Sequence, residues 1–510
     1  MENSRKSSCD LAGRVADALS PVLPAGSTIL LGLSGGVDSV VLLHLLQQLA
    51  PRYSWRLSAL HVHHGISPHA DTWAAFCADL CARLGIPFQI EQVDIAPLRE
   101  HGIEAAARKL RHAAFDRQPV DFIALAHHQD DQAETLLLQL LRGAGLRGAS
   151  AMPVIRQRTD HPTQLRPLLD VARSELLAYA QQHALQWVED ESNADDAYPR
   201  NFLRHRVLPL LEQRFPAYRE TLARGARHFA EASELLDQLA QQDANIFPSP
   251  SGGGARGEGE LFAGGVLDVA RLQALSLSRA KNLLRYFLYS LGAPMPQAVQ
   301  LDDMLQQLCG ARQGAAVLLN FGAWQVRRYQ GKVYAFPVLP EPDAEFCAHW
   351  LGEVALELPE LGGTLHFEPV IGHGLSLEKL QQATINEKLA QRVLVPLARL
   401  RERDGERETG MDDFIVRGGV FAMPVTVRLR RGAERIRLDD KRPTRTLKNL
   451  LQEQGIPPWQ RDRLPLLFCG ETLVAIPGIG VECAYQAAQE EAGVVLRWID
   501  VRVMESKTSG

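Results

Sequence analysis

The chain has 510 residues, of which 46% are hydrophobic and 23% charged, and its formal net charge is −5. This length predicts about three domains of ~150 residues each, and the negative balance means that any nucleic-acid-binding surface must be local. Seven cysteines without a C-x-x-C pair indicate a reducing compartment, which excludes a disulfide framework. The N-terminus lacks the apolar segment of a signal peptide, and no apolar run reaches the ~18 residues of a membrane span. We therefore predict a cytoplasmic protein with no membrane partner.

The first patterned stretch, Ser27–Ser39, predicts a buried strand, a tight turn and the start of a helix. The strand is the apolar run Ile29–Leu33. The adjacent Gly35 and Gly36 let the backbone approach an anion, which the N–H groups of the following helix also face. No Gly-Lys-Ser/Thr follows, which excludes a Walker loop. The stretch predicts a phosphate-binding loop, and a turn with incidental glycines is the alternative.

After this loop, three more strand patterns alternate with helical patterns up to residue 141. The predicted strands are Trp55–Val62, Phe88–Val93 and Asp121–Ala126, and the predicted helices are Thr72–Leu84, Ile103–Phe115 and Ala133–Leu141. This alternation predicts an α/β fold with a doubly wound parallel sheet. Ligands of such sheets bind beyond the carboxyl ends of the strands. We therefore expect the loop, His61–Gly65 and His127–Asp131 to converge on one crevice.

Asp38 is the first candidate for chemistry, because it lies inside the predicted phosphate loop. A carboxylate repels a nearby phosphate unless a cation lies between them, and carboxylate oxygens suit Mg²⁺. The pattern favours Asp38 as a magnesium ligand. A carboxylate that merely interacts with the helix dipole is the alternative.

A second polar cluster is HHQDDQAET, residues 127–135. In a helix that begins near Asp130, the carboxylates of Asp130, Asp131 and Glu134 lie on overlapping faces. They suit a second Mg²⁺ contact or general-base catalysis, and helix capping is the alternative. His127 and His128 suit nucleotide contacts better than a zinc site, because no cysteine lies nearby.

Two arginine-containing segments are further candidates. Arg142–Gly148 alternates glycines with arginines, which favours either a turn near phosphate or RNA or a helix C-cap. In the polar stretch Asp190–Arg206, Arg200 and Arg204 lie four residues apart on one predicted helix face. Guanidinium groups suit phosphate clamping, and a solvated helix face is the alternative.

Composition places the domain borders. We predict a catalytic domain over residues 1–216, a helical middle domain over 217–340 with a Gly-rich insertion at 249–265, an irregular linker over 341–420 and a small α+β domain over 421–500. The segment Val425–Arg463 holds eleven Lys and Arg against five Asp and Glu, and such a local excess predicts a polyanion partner. Two interpretations of Trp459 stay open here, stacking on a base and filling a small core.

Taken together, these stretches resemble the tRNA(Ile)-lysidine synthetase family, whose phosphate loop is the PP-loop of the N-type ATP pyrophosphatases. The matching motifs are SGGVDS at 34–39, HVHHGIS at 61–67, EAAARKLR at 104–111, HHQDDQAETLLLQLLRGAG at 127–145 and DESNADDAYPRNFLRH at 190–205. Residues 217–330 are similar to the helical substrate-binding domain of the family. IPPWQRDRLP at 456–465 resembles its C-terminal domain.

The resemblance implies a ligase that modifies tRNA. ATP adenylates the C2 oxygen of the wobble cytidine in the CAU anticodon of an isoleucine tRNA, and the ε-amino group of free L-lysine then displaces AMP to form lysidine. Pyrophosphate is the other product, and the codon read changes from AUG to AUA.

The resemblance also implies roles for individual residues and partners. Ser34, Gly35, Gly36, Val37, Asp38 and Ser39 would hold the ATP phosphates, and Asp38 and Asp131 would hold Mg²⁺. His127, Asp130, Asp131 and Glu134 would serve metal, cytidine or lysine, and Arg108, Arg200 and Arg204 the phosphates or the target nucleotide. A homodimer is one option for the assembly.

Three other functions stay open at this stage. A two-thiocytidine-type tRNA thiolase shares the loop but needs paired cysteines, which this chain does not show. An amide-forming enzyme with the same loop leaves the basic C-terminal segment without a purpose. A non-catalytic tRNA-binding protein has no use for Asp38, Asp131 and Glu134, and tRNA-dependent conversion of ATP to AMP would exclude it.

Overall fold

The computed structural model describes residues 10–65, 67–94, 103–158, 161–189, 191, 195–196, 198–245, 266–312, 314–338, 340–386 and 425–500. The chain divides into two compact units, Met1–Gln238 and Leu239–Gly510. Within the described ranges, no helix combines the length and the apolar composition that crossing a membrane requires. The Gly-rich insertion at 249–265 and residues 387–424 of the predicted linker lie outside the described residues.

The first unit is built on a six-stranded sheet in the order β3-β2-β1-β4-β6-β5. The strands are β1 Thr28–Gly32, β2 Arg56–His63, β3 Phe88–Gln92, β4 Phe122–Ala124, β5 Ile155–Arg156 and β6 Thr163–Leu165. The first five strands in this order pair in parallel, and the edge strand β5 is antiparallel to β6. The predicted α/β fold with a doubly wound parallel sheet is confirmed.

Helices cover both faces of this sheet. They are α1 Leu11–Leu19, α2 Val37–Tyr53, α3 Ala70–Leu84, α4 Ile103–Asp116, α5 Gln129–Leu141, α6 Leu146–Ala149, α7 Arg173–Gln182, α8 Pro199–Phe202, α9 Leu208–Arg214 and α10 Tyr218–Asn245. A π-helical turn, Leu203–Val207, joins α8 to α9. One face carries a large core formed with α1, α2, α3 and α7, and Phe115 of α4 packs on the other face. Strand side chains alternate between these two cores, which fixes the register of the sheet.

The second unit begins with a sheet and three helices. The sheet has the antiparallel order β7-β10-β9-β8. Its elements are β7 Val266–Asp268, α11 Val269–Ala274, α12 Leu277–Ser290, α13 Ala298–Gly310, β8 Val317–Phe321, β9 Trp324–Tyr329 and β10 Lys332–Pro337. Phe287 and Leu288 of α12 are fully buried in a core against this sheet. The predicted helical middle region is thus a mixed layer of helices and strands.

The remainder of the second unit contains two larger sheets and one small ribbon. Their orders are β11-β15-β18-β19-β20, β12-β13-β21-β14 and β16-β17. The elements are β11 Cys347–His349, β12 Ala355–Leu358, β13 Gly363–Ile371, β14 Leu375–Ser376, α14 Leu377–Asn386, β15 Val425–Arg428, β16 Arg435–Ile436, β17 Arg445–Thr446, α15 Leu447–Glu453, α16 Pro458–Arg461, β18 Leu466–Cys469, β19 Thr472–Ile476, β20 Gly480–Val481, a 3₁₀ turn Cys483–Tyr485 and β21 Ala492–Asp500.

The expectation of an irregular linker over 341–420 is corrected in its described part. Residues 347–386 supply four strands and a helix, and β13 pairs along its whole length with β21. Trp350 and Phe367 are buried and stack with ring centroids 4.2 Å apart. The partner of β13 lies more than a hundred residues later in the chain, so no local pattern identifies the pairing.

Trp459 of α16 packs against strands β9 and β10 of the second unit. Its ring contacts Tyr329 and Tyr334 edge-on and Phe336 at a tilt, with centroids 5.4 to 6.1 Å apart. The guanidinium of Arg327 lies 5.0 Å from the ring centroid. Of the two interpretations that the sequence left open, the structure favours core filling, because side chains of β9 and β10 already pack against the indole ring.

The basic segment divides into structural and exposed residues. Arg461 donates to the Tyr329 hydroxyl at 2.8 Å, and Arg463 binds the carbonyl of Pro340, so both guanidinium groups brace the second unit. Arg435, Lys441 and Lys448 are exposed, and their side chains make no ion pair or hydrogen bond within the described ranges. A polyanion can contact these three residues without breaking an ion pair within the described ranges.

Candidate active site

The loop between β1 and α2 is closed by its own hydrogen bonds. The hydroxyl of Ser39 donates to the carbonyl of Gly36 at 2.9 Å and accepts from the N–H of Ser34 at 3.2 Å. Gly35 has a φ of +87°, and a Cβ there would lie 2.8 Å from the side chain of Val188. Because the first N–H groups of a helix have no intrahelical acceptor, those of α2 remain available to an anion.

His61, in the neighbouring strand β2, forms a hydrogen bond with the residue that precedes this loop. Its Nδ1 lies 2.9 Å from the carbonyl of Leu33, which can only accept, so Nδ1 carries the proton. Burial lowers the pKa of His61, and the ring therefore stays neutral. His61 thus holds the loop entrance in place without adding charge to it.

His128, the residue before α5, brings three carboxylates together. Its Nε2 lies 3.5 Å from an oxygen of Asp38 and 3.5 Å from one of Asp131, and its Nδ1 lies 3.7 Å from Asp130. Burial by itself lowers the pKa of His128, but the charges of Asp131, Asp38 and Asp130 outweigh it and raise that pKa. The expected convergence of the loop with residues 127–131 is therefore confirmed, and His128 is the contact point.

Two arginines hold the inner carboxylates of α5. Glu134 is fully buried, and its oxygens accept from Nε of Arg200 at 2.6 Å and from Nε of Arg204 at 2.7 Å. Asp131 accepts from Nη2 of Arg200 at 2.8 Å and from the N–H of His128 at 3.0 Å. Asp131 therefore caps α5 and forms an ion pair at the same time. Although burial alone would raise it, His128 and Arg200 hold the pKa of Asp131 well below its usual range.

Asp130 is bound by groups of α7 and α10. One oxygen accepts from Nε of Arg219 at 2.5 Å and the other accepts from the N–H of Arg173 at 3.0 Å. Arg219 also donates to Glu212 at 2.6 Å. We call Asp38, Asp130, Asp131 and Glu134 the carboxylate cluster.

The two remaining predicted site residues are His127, which precedes His128, and Arg108 of α4. Burial, reinforced by Arg166, Arg200 and Arg111, lowers the pKa of His127 to about 3, although Asp131 raises it in part. The Nδ1 of His127 is buried and has no hydrogen-bond partner in the described structure. Arg108 lines a separate cavity on α4. The structure thus brings Asp38, Asp130, Asp131 and Glu134 together with Arg200 and Arg204, whereas Arg108 lies on α4.

Sequence reasoning missed the roles of two residues in this site. Arg219 lies beyond the predicted border at residue 216, so its ion pair with Asp130 had no signal in the sequence. The sequence favours His128 as a nucleotide contact but gives no signal of its contacts with the carboxylates of both α2 and α5. Adjacent histidines at a strand end point to opposite faces of a sheet, and this alternation is the signal that separates His128 from His127.

The stability of the chain is expected to fall as the pH drops from 6.5 to about 4. Burial and the charge of Arg111 lower the pKa of His64 and of His112 from 6.5 to about 4. The unfolded chain binds these protons more readily, so the stabilisation is complete above pH 6.5 and is lost as the pH falls to about 4. Urea midpoints between pH 7 and pH 4 measure this, and His112→Gln should flatten the dependence. An unaltered slope in that variant would contradict the assignment.

Three family models match the chain, a PP-loop domain over residues 10–211, a TilS substrate binding domain over 267–334 and a TilS substrate C-terminal domain over 425–498. The tRNA(Ile)-lysidine synthase of Nitrosomonas europaea is 39% identical over 487 residues, which are 95% of this chain and 94% of the relative. The tRNA(Ile)-lysidine synthase of Azoarcus sp. is 39% identical, with 96% of each chain covered. That of Coxiella burnetii is 35% identical, with 92% of this chain and 93% of the relative covered.

Solved structures are similar over part of the chain. The U34-tRNA thiolase NcsA from Methanococcus maripaludis, with its [4Fe-4S] cluster, is 19% identical at a TM-score of 0.38 and covers 43% of this chain and 78% of its own. The NH3-dependent NAD synthetase from Campylobacter jejuni is 16% identical at a TM-score of 0.24 and covers 44% of this chain and 93% of its own.

Proposed function

The chain belongs to the tRNA(Ile)-lysidine synthase family, ligases that form a carbon–nitrogen bond, and we propose that its crevice joins free lysine to the wobble cytidine of a CAU-anticodon isoleucine tRNA with ATP and Mg²⁺. One observation carries the chemistry. The phosphate loop and the carboxylate cluster meet at His128, so ATP and a cationic amine can be held within one crevice. The cytoplasmic location and the homodimer stay predictions from the sequence.

The residues beside the loop fit a magnesium ion. Oδ1 of Asp38 is buried and has no hydrogen-bond partner among the described residues, so one carboxylate oxygen remains for a ligand. Both oxygens of Asp131 already accept hydrogen bonds, and we assign it a contact through water. In the described part of the chain no three His, Cys, Asp or Glu side chains form a metal cage. Mg²⁺ is commonly held by one or two carboxylates, phosphates and water, so this set suffices. When bound, the ion would neutralise charge on the departing pyrophosphate.

The carboxylate cluster suits the lysine amine. The low pKa of Asp131 keeps this carboxyl ionised and makes it a weak proton acceptor, and its charge is shared with Arg200 and His128. We therefore assign Asp131 to charge stabilisation and not to deprotonation of lysine. Nη1 of Arg204 makes no hydrogen bond within the described ranges, and we assign it to an anionic group of the substrates.

The adenylation step explains why ATP is needed. The carbonyl oxygen at C2 is a poor leaving group, and its attachment to the α-phosphate converts it into the leaving group AMP. The amine nitrogen then forms the new bond to C2 as the C2–O bond breaks and AMP takes the electron pair. The lysine ammonium must lose one proton before it attacks.

The test is the incorporation of radiolabelled lysine into an unmodified CAU-anticodon isoleucine tRNA transcript, with ATP and Mg²⁺ present. We expect label in the tRNA together with equal amounts of AMP. Release of AMP only with a sulfur donor would indicate a thiolase instead. Neither product would indicate a protein that only binds tRNA.

Arg435→Glu is expected to weaken tRNA binding by roughly tenfold at low salt and to flatten its dependence on salt. Arg435 is exposed on β16, and no ion pair of its side chain is found in the described part of the chain. Filter binding of the transcript at several salt concentrations measures both effects. Arg430→Glu is the control for charge, since Arg430 is already paired with Asp462. Unchanged affinity in Arg435→Glu would remove this surface from the tRNA interface.

A further inference from the structure

The strongest unassigned feature is a cavity along α4. It has a volume of about 510 Å³ and is lined by Arg108, Lys109, His112, Ala113 and Asp116. Among the described residues of this lining, the one carboxylate is that of Asp116, and it is paired with both terminal nitrogens of Arg158. The negative charge of Asp116 is therefore already neutralised, and the exposed Lys109 adds positive charge to the cavity.

Behind the cavity lies a buried arginine, Arg166, which directly follows β6. Only 4% of Arg166 is exposed. Its terminal nitrogens donate to the carbonyl of Pro153 and to Oε1 of Gln164, each at 3.0 Å, and Gln164 in turn lies 3.4 Å from Nδ1 of His112. Nε of Arg166 has no hydrogen-bond partner, and no carboxylate pairs with its guanidinium, within the described ranges. A buried cation without a counter-ion is costly.

The surroundings of Arg166 add positive charge. Burial, together with repulsion from Arg156 and Arg108, lowers the pKa of Arg166 to about 10. Burial and the charges of Arg111 and Arg108 lower the pKa of His112 to about 4, against a smaller opposing effect of Asp116. An anion placed in the cavity would relieve both sets of repulsion.

We propose that this cavity is a phosphate subsite for the RNA, in which Lys109 and Arg108 contact a backbone phosphate near the target nucleotide and the buried Arg166 reinforces them. The proposal rests on the proposed function, because it takes the polyanion to be the tRNA substrate. Arg108, which the sequence assigned to either ATP or nucleotide, is thereby assigned to the nucleotide.

Position favours RNA over ATP as the source of this phosphate. The phosphate loop follows β1, whereas Arg166 follows β6, and β4 lies between these two strands. Two strand spacings separate the ends of β1 and β6 by about 10 Å. The proposed function puts the ATP phosphates in the loop, so a phosphate bound beside α4 would come from the RNA.

The test compares Lys109→Gln with Arg117→Gln, a control at the residue that follows the same helix, whose exposed side chain is paired with Glu91. Filter binding of the unmodified transcript at several salt concentrations should show a loss of roughly three- to tenfold for Lys109→Gln and a salt slope smaller by about 0.7 to 0.9. The control should match the wild type. Wild-type affinity and slope in Lys109→Gln would overturn the proposal.

A test of Arg166 must separate the effect of its charge on RNA binding from its effect on the packing of the buried side chain. Arg166→Gln should lose RNA affinity and salt slope, while Arg166→Lys, which keeps the charge, should retain most of both. A higher KM for ATP with unchanged RNA binding would assign the phosphate to ATP and overturn the proposal. RNA binding is measured without lysine or ATP. Failure of the proposed function would instead appear as a wild-type protein that incorporates no lysine.

Discussion

Asp38→Asn is expected to lower kcat for lysidine formation by roughly 10²- to 10⁴-fold, a loss of about 3–5 kcal/mol of transition-state stabilisation. The side chain of Asp38 lies next to the phosphate loop, and its Oδ1 has no hydrogen-bond partner among the described residues. The amide keeps the shape but removes the charge that would hold Mg²⁺ on the phosphates. Single-turnover incorporation of labelled lysine at saturating ATP and tRNA measures the effect.

Asp71→Asn is the matched control for Asp38→Asn. Asp71 lies in the first turn of α3, and its exposed carboxylate contacts His63. If Asp38 acted only on the helix dipole, both substitutions would cost about 0.3–1 kcal/mol of stability and leave kcat unchanged. Equal kcat values for wild type, Asp38→Asn and Asp71→Asn would therefore reject the magnesium assignment. A higher Mg²⁺ requirement in Asp38→Asn alone would support it.

Glu134→Ala is expected to lower the free energy of unfolding by about 3 kcal/mol. Its carboxylate is fully buried and accepts three hydrogen bonds from Arg200 and Arg204, so its removal leaves two guanidinium groups without their main partner. These arginine side chains keep 21% and 33% exposure, which places the cost at the lower end of the range for buried pairs. Urea denaturation followed by circular dichroism measures the change.

Glu212→Ala serves as the comparison for Glu134→Ala. Glu212 also pairs with an arginine, Arg219, but its side chain is 49% exposed. Exposed ion pairs contribute about 0–1 kcal/mol, so this variant should stay close to the wild type. If both variants lost the same stability, burial of the network around Glu134 would not be the cause.

Features that depend on neighbouring residues could be predicted from the sequence. The Ser34–Ser39 loop is closed by hydrogen bonds between residues at most five positions apart, so its motif contains the partners of these bonds. One further bond, from the N–H of Val188 to the carbonyl of Gly35, comes from a distant segment. The alternation of strands and helices follows from apolar spacing, and a parallel sheet brings the ends of its strands to one edge. Local patterns therefore indicated the crevice as well as the fold class.

Features that depend on competition among distant partners could not be predicted in this way. The basic segment is conspicuous in the sequence, yet Arg461 and Arg463 brace the second unit, and only the structure separates them from exposed residues such as Arg435. The strand β13 pairs with β21, and the free energy of that pairing resides in contacts that no window of the sequence contains.

The sequence by itself determined the family, the phosphate loop and the carboxylates of α5, because glycines, capping residues and apolar periodicity act over a few positions. The tertiary structure alone decided which charges meet. Asp38 and Asp131 approach each other through His128, and Arg219 joins them through Asp130. The strength of an ion pair depends on distance and on burial, and both quantities exist only once the chain has folded.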